Sequence, residues 1–193
     1  MRRTYDDGLR LSTQNLVKSV AALLFNGFMQ FSKKDLKAEG FSGFRAMTDL
    51  DINRVPQGPG LFTISAPADF EPRFLKTSVA GTFKKRNPTL SKEELAAEWV
   101  PGATLLYLGK AGPGSQGNRG LRRQIKEFLD FGRAKPPGHW DGRLVWQLLD
   151  AEDLVFAWKE LPAEQLGTAE ASYHAAFVEH HGRLPFANLT QAR

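Results

Sequence analysis

The stretch that organises this chain is Thr104-Leu-Leu-Tyr-Leu-Gly-Lys-Ala-Gly-Pro-Gly-Ser-Gln-Gly-Asn118, a short apolar run followed by a glycine-rich loop. The apolar run predicts a strand over 104–108. Asn118 is a good N-cap and Gly132 a good residue to follow a helix, so the segment between them is predicted to be helical. Its apolar residues recur at helical spacing, which indicates one buried face: Leu121, Ile125 and Phe128.

Patterns on either side of this stretch predict an α+β fold. Further strands are predicted at 61–64 and 153–159, and further helices at 13–28, 32–40, 91–100 and 163–181. Residues 67–90 contain several prolines and lysines and are predicted to be irregular. The chain is therefore expected to form a small central antiparallel sheet of about three strands flanked by helices. That domain spans 58–193 and follows an N-terminal helical extension, 1–57.

Composition removes several classes of function. The 193 residues contain no cysteine, which excludes disulfides, thiolate zinc sites and cysteine nucleophiles. The longest clean apolar run, 20–25, is far shorter than a membrane span needs, and no cleavage site follows it. We therefore expect a cytoplasmic protein without a membrane partner. The net charge of +5 is a mild bias towards a polyanionic partner.

The positive charge is concentrated around the predicted helix. Between residues 110 and 135 there are seven basic and two acidic side chains, a surplus equal to that of the whole chain. A basic stripe of four residues lies opposite the apolar face: Arg119, Arg122, Arg123 and Lys126. Such a stripe is typical either of a solvated helix face or of a phosphate-binding surface.

The loop before this helix matches a phosphate-binding pattern. Gly112-Pro-Gly114-Ser-Gln-Gly117 fits G-x-G-x-x-G between a strand and a helix, so a phosphate-loop enzyme using 109–118 is one hypothesis. Against a dinucleotide site stand Pro113 between the glycines and Asp141, a candidate ribose ligand, in a Pro/Gly loop. Too few strand–helix–strand units follow to build a doubly wound sheet.

An acidic residue interrupts the apolar face of the last predicted helix. Glu170 follows Leu166 by four residues and precedes Tyr173 by three, which places it on the buried stripe. A carboxylate there is expensive unless it is paired. It is either hydrogen-bonded within the protein or a ligand for a hard cation such as Mg²⁺.

Six features occur in a distinctive order along residues 58–190. They are Gly60-Leu-Phe62, Tyr107-Leu-Gly109-Lys110, an arginine-rich helix, a third strand, the helix that carries Glu170, and Leu184-Pro-Phe-Ala-Asn188. This order resembles the GIY-YIG nuclease family. The resemblance implies an endonuclease that hydrolyses phosphodiester bonds in DNA, including branched or single-stranded DNA, with RNA left open.

The resemblance also implies roles for individual residues. Glu170 would hold a single Mg²⁺ or Mn²⁺ ion, Tyr107 would activate or position the attacking water, and Asn188 would shape the site. A tyrosine hydroxyl needs a nearby cation to act as a base, and Lys110 is the candidate. Arg119 and Lys126 are expected to contact nucleic acid.

Two departures from the family pattern bear on catalysis. Phe62 stands where the family has tyrosine, and Gln124 stands where its helix has arginine, a role that Arg122 or Arg123 would have to take. His139 is a further candidate acid or base. The departures favour a second hypothesis, a nucleic-acid-binding module of the same fold with weakened catalysis.

Overall fold

The structure, a computed structural model, describes residues 29–135 and 140–189. The helix predicted at 13–28 and the candidate His139 lie outside the described residues. The helices are α1 (Lys33–Ala38), α2 (Lys92–Glu98), α3 (Leu121–Gly132) and α4 (Leu166–His181). The strands are β1 (Ser42–Ala46), β2 (Gly60–Ser65), β3 (Leu105–Ala111) and β4 (Val155–Glu160).

The four strands form one antiparallel sheet in the order β1-β4-β2-β3. The α+β class is confirmed, but the expected three strands are four. The additional strand, β1, comes from the extension that the sequence predicts to be helical. Its five residues include Gly43 and Phe44, both with positive φ, and its register with β4 shifts between Gly43 and Arg45. This irregularity removes the alternation by which a strand is recognised in a sequence.

Local signals set several of the helix ends. Capping boxes begin α1 and α2, Ser32 with Asp35 and Ser91 with Glu94, and Gly182 ends α4 in the left-handed conformation. The predicted ends of α3 are wrong. This helix begins after Gly120, without a side-chain cap, and extends through Gly132.

The sheet carries a hydrophobic cluster on each face. One face packs against α3 and α2 through residues of β2, β3 and β4 that include Phe62, Tyr107 and Phe156. The other packs against α4 and α1, with Leu108 and Phe177 among its buried residues. Strand β3 lies at the edge, so side chains from both of its faces lie near the same border of the molecule.

Two further features concern the described residues as a whole. None of the helices in 29–135 and 140–189 combines the length and apolarity that crossing a membrane requires. An open pocket of about 660 Å³ lies at the β1–β4 side and is lined by residues that include Arg45, Arg54 and Trp158. The sheet order places this pocket away from β3, where the predicted site residues gather.

Candidate active site

Tyr107 projects from β3 towards α3. Its ring lies 5.6 Å from that of Phe62 and 6.3 Å from that of Phe128, centre to centre. The side chain folds over Gly109, where an added Cβ would lie only 2.6 Å from the Tyr107 hydroxyl. Glycine in the Tyr-Leu-Gly motif is therefore required because the tyrosine occupies the space that a side chain would fill.

The surroundings of Tyr107 oppose its ionisation. Burial raises the pKa of Tyr107 far above the usual value for a tyrosine, and the charges of Asp141 and Glu170 raise it further. The sequence predicts Lys110 as a cation beside this hydroxyl, but Lys110 projects from β3 towards α4 and pairs with Glu170 instead. The hydroxyl is thus suited to donating a hydrogen bond rather than to accepting a proton as a base.

Glu170 and Lys110 form an ion pair on the α4 face. Lys110 Nζ donates to Glu170 Oε2 at 2.7 Å, with the carboxylate side chain 10% exposed and the lysine side chain 39% exposed. The predicted burial of Glu170 is confirmed, and its partner is a lysine. The buried carboxylate therefore has a hydrogen-bonding partner within the protein. The pair lies near the protein surface, since the lysine side chain reaches solvent.

Asn188 binds the outer edge of β3. Its Oδ1 accepts the Leu108 N–H at 2.9 Å, and its Nδ2 donates to the Leu108 carbonyl at 2.8 Å. The Ala187 N–H also donates to Leu106 O at 2.8 Å. The segment ending in Asn188 thereby covers an edge that would otherwise leave backbone groups unpaired. Asn188 holds the Tyr107–Lys110 strand in place beside the ion pair.

His174 belongs to the site, although the sequence did not predict it as a site residue. It lies one helical turn after Glu170, is 4% exposed, and places Nε2 3.3 Å from the Leu108 carbonyl oxygen. Its Nδ1 is buried without a hydrogen-bond partner among the described residues. Burial lowers the pKa of His174, although the nearby Glu170 charge acts in the opposite direction. The signal in the sequence was the four-residue spacing from Glu170.

Phe62, the residue at the first motif position, is a core residue. It is fully buried and opposes Gly109 across the β2–β3 pair. Its ring also stacks on Phe156 at 6.3 Å. Phe62 therefore supports the Tyr107 ring by packing and presents no polar group to a ligand.

All four residues of the basic stripe contact groups of the protein itself. Arg122 donates through Nε to Val55 O and through Nη2 to Asn53 O, both at 2.8 Å, which ties α3 to the preceding loop. Arg123 lies 3.1 Å from Glu127, and Lys126 pairs with Asp130. Arg119 pairs with Glu127 and donates to Gln124 Oε1 at 3.3 Å. These contacts favour a structural role for much of the stripe.

The glycine-rich loop does not present a free helix N-terminus to a phosphate. The first two N–H groups of α3, those of Leu121 and Arg122, donate to the carbonyls of Gly58 and Pro56 at 2.9 Å. An added Cβ at Gly114, whose φ is +69°, would lie 2.6 Å from the Arg119 side chain. The loop makes room for an arginine, and the antiparallel sheet is not the parallel sheet of a dinucleotide fold.

Comparison with family models, with curated proteins and with solved structures returns no match for this chain.

Proposed function

We propose that this protein is a metal-dependent endonuclease of the GIY-YIG type that hydrolyses phosphodiester bonds in DNA. The observation that carries the proposal is the arrangement around β3. Tyr107, Lys110, the Lys110-bound Glu170 and Asn188 all lie on or against residues 107–110 of one edge strand. They come from three separate motifs, and a purely structural role does not require those motifs to meet at one border of the sheet.

The residues with proposed roles in phosphodiester cleavage lie on two sides of β3. Tyr107 would donate a hydrogen bond that orients the attacking water or a phosphate oxygen, since its ionisation is opposed. On the other side, Lys110 is charged and 39% exposed, which suits it to contact a phosphate. Arg119 supplies a guanidinium beside Gln124, the position at which the family has arginine.

The proposed cofactor is a single magnesium ion, with Glu170 as its protein ligand. The described residues contain no group of three or more side chains that could hold a metal. Mg²⁺ is often held by one or two carboxylates together with waters and substrate phosphates, so Glu170 alone suffices on the protein side. When bound, such an ion supplies positive charge to the scissile phosphate. Lys110 would then turn from Glu170 towards the substrate.

A second candidate is a nucleic-acid-binding module with weakened catalysis. The observation that favours it is the chemistry of Tyr107 and Gln124: the tyrosine resists ionisation, and the helix arginine is replaced by an amide. Loss of one charge-stabilising donor typically costs about 2.7–4 kcal/mol in the transition state, or 10²–10³ in rate. This candidate predicts binding without appreciable cleavage.

The test is a cleavage assay with plasmid, branched and single-stranded DNA and with RNA, in Mg²⁺ or Mn²⁺. The endonuclease proposal expects cleavage that Glu170→Gln abolishes while the folded state persists. Gln124→Arg should then raise the rate if Arg119 substitutes poorly. No cleavage by wild type or by Gln124→Arg, together with binding, would establish the second candidate. Cleavage that survives Glu170→Gln would refute the assigned site.

A further inference from the structure

A second basic surface lies outside the motifs of β2, β3, α3 and α4. Residues Phe83 and Arg86 exchange backbone hydrogen bonds of 3.1 and 2.9 Å and form a tight two-residue hairpin. Its tip is Lys84-Lys85, whose φ angles are +49° and +63°. A turn of this kind normally uses Asn-Gly, because both central residues are left-handed. Both lysines are exposed and hold a backbone conformation that costs stability, so local stability does not account for lysine at these two positions.

Two arginines stack on one tryptophan beside this hairpin. The guanidinium carbons of Arg86 and Arg143 lie 4.7 and 4.3 Å from the Trp140 ring centre, so they are at most about 9 Å apart. Phe83 stacks on the same tryptophan at 6.1 Å. Stacking fixes the planar N–H fork of each arginine and leaves its edge free to bind an anion.

The cations of this surface are not held in ion pairs within the part of the chain that the structure describes. Among the described residues, none of the four cations Lys84, Lys85, Arg86 and Arg143 forms an ion pair. Burial lowers the pKa of Arg143 and the Arg86 charge lowers it further, whereas the charge of Asp141 acts in the opposite direction. An anion bound beside both arginines would reduce the repulsion between Arg86 and Arg143. The paired residues of the α3 stripe offer no comparable surplus.

We propose that Lys84, Lys85, Arg86 and Arg143 form a phosphate-binding surface for the backbone of the nucleic acid. This inference rests on the proposed function. The surface lies on the Tyr107 side of the molecule, because Gly142, two residues after Trp140, approaches the Tyr107 ring so closely that its Cβ would lie 3.3 Å away.

The test measures binding of fluorescein-labelled oligonucleotides, single-stranded and duplex, by anisotropy over a range of salt concentrations in EDTA. Each phosphate contact contributes about 0.7 (single strand) to 0.9 (duplex) to the salt slope. Lys84→Gln/Lys85→Gln should therefore lower the slope by about 1.4–1.8. The matched control Lys34→Gln/Lys92→Gln removes two exposed lysines elsewhere and should leave it unchanged.

A conservative variant separates stacking from charge. Arg86→Lys keeps the charge but loses the planar fork, so it should weaken binding several-fold with little change in slope. The inference is overturned if hairpin variants bind as wild type while Arg123→Gln/Lys126→Gln loses affinity; the proposed function then stands, with α3 as the interface. Wild-type protein that binds no oligonucleotide would overturn the inference and the proposed function together.

Discussion

Replacing Lys110 and replacing Glu170 should lower the free energy of unfolding by unequal amounts, although each replacement breaks the same ion pair. The carboxylate is 10% exposed and the lysine 39% exposed. Lys110→Met would leave a buried charge without a partner. Glu170→Gln would leave an ammonium that can turn to water and an amide oxygen that still accepts its hydrogen bond. The lysine variant should therefore be the less stable of the two.

The separation of 2.7 Å gives the scale of the effect. Two unit charges at that distance attract by about 6 kcal/mol at an effective dielectric constant of about 20, and by about 1.5 kcal/mol in bulk water. The exposed lysine brings this pair towards the lower value, and desolvation offsets part of it. We expect a loss of about 2–3 kcal/mol for Lys110→Met and about 1 kcal/mol for Glu170→Gln.

Urea unfolding followed by circular dichroism measures both free energies, and the double variant completes a thermodynamic cycle. The double variant should lose less stability than the two single losses combined, by about 1–2 kcal/mol. Equal losses, or a larger loss for Glu170→Gln, would refute the claim that the carboxylate is the desolvated partner. The cleavage rate should fall further in Glu170→Gln than in Lys110→Met, because Glu170→Gln removes the proposed metal ligand although it perturbs the fold less.

Three further predictions follow from the same border of the sheet. Gly109→Ala should cost about 1–3 kcal/mol in thermal or urea unfolding, since the new Cβ would meet the Tyr107 hydroxyl at 2.6 Å. Asn188→Ala should cost about 1–2 kcal/mol by unpairing the Leu108 N–H, whereas the Leu108 carbonyl keeps its contact with His174, and should speed amide exchange there. Because burial lowers the pKa of His174, only the unfolded chain takes up this proton near pH 6.5. Stability should therefore fall below that pH, by at most about 1.4 kcal/mol per pH unit, and His174→Gln should flatten the decline.

Each of these predictions has a control. Gly167→Ala, on α4 with nothing near its Cβ, should be neutral or stabilising, so a loss as large as that of Gly109→Ala would exclude the packing argument. Asn188→Asp retains the acceptor and should be milder than Asn188→Ala; equal exchange rates in the two would contradict the assigned bonds. The pH dependence of stability is measured in EDTA. Its control residue is His181, because burial lowers the pKa of this histidine as well. If His181→Gln flattens the decline as much as His174→Gln, the assignment to His174 is wrong.

Local patterns predicted most of the secondary structure. The capping boxes at Ser32 and Ser91 and the terminating Gly182 act over three or four residues, so their effect can be read from adjacent positions. The helical period likewise placed Glu170 on a buried face. Strand β1 was missed because its irregular backbone carries no period.

Only the tertiary structure decided what the charged side chains contact. Glu170 required a partner by its position alone, but Lys110 is 60 residues away in the sequence, and Asn188 lies 80 residues from Leu108. The basic stripe on α3 followed from the helical period, whereas its pairing with the 53–55 loop required the packed fold. Conversely, Lys84, Lys85 and Arg143 have no shared sequence pattern, and the hairpin and Trp140 bring them together. Periodicity determines which face a residue occupies, because the backbone repeat is local; its partner depends on how distant segments pack.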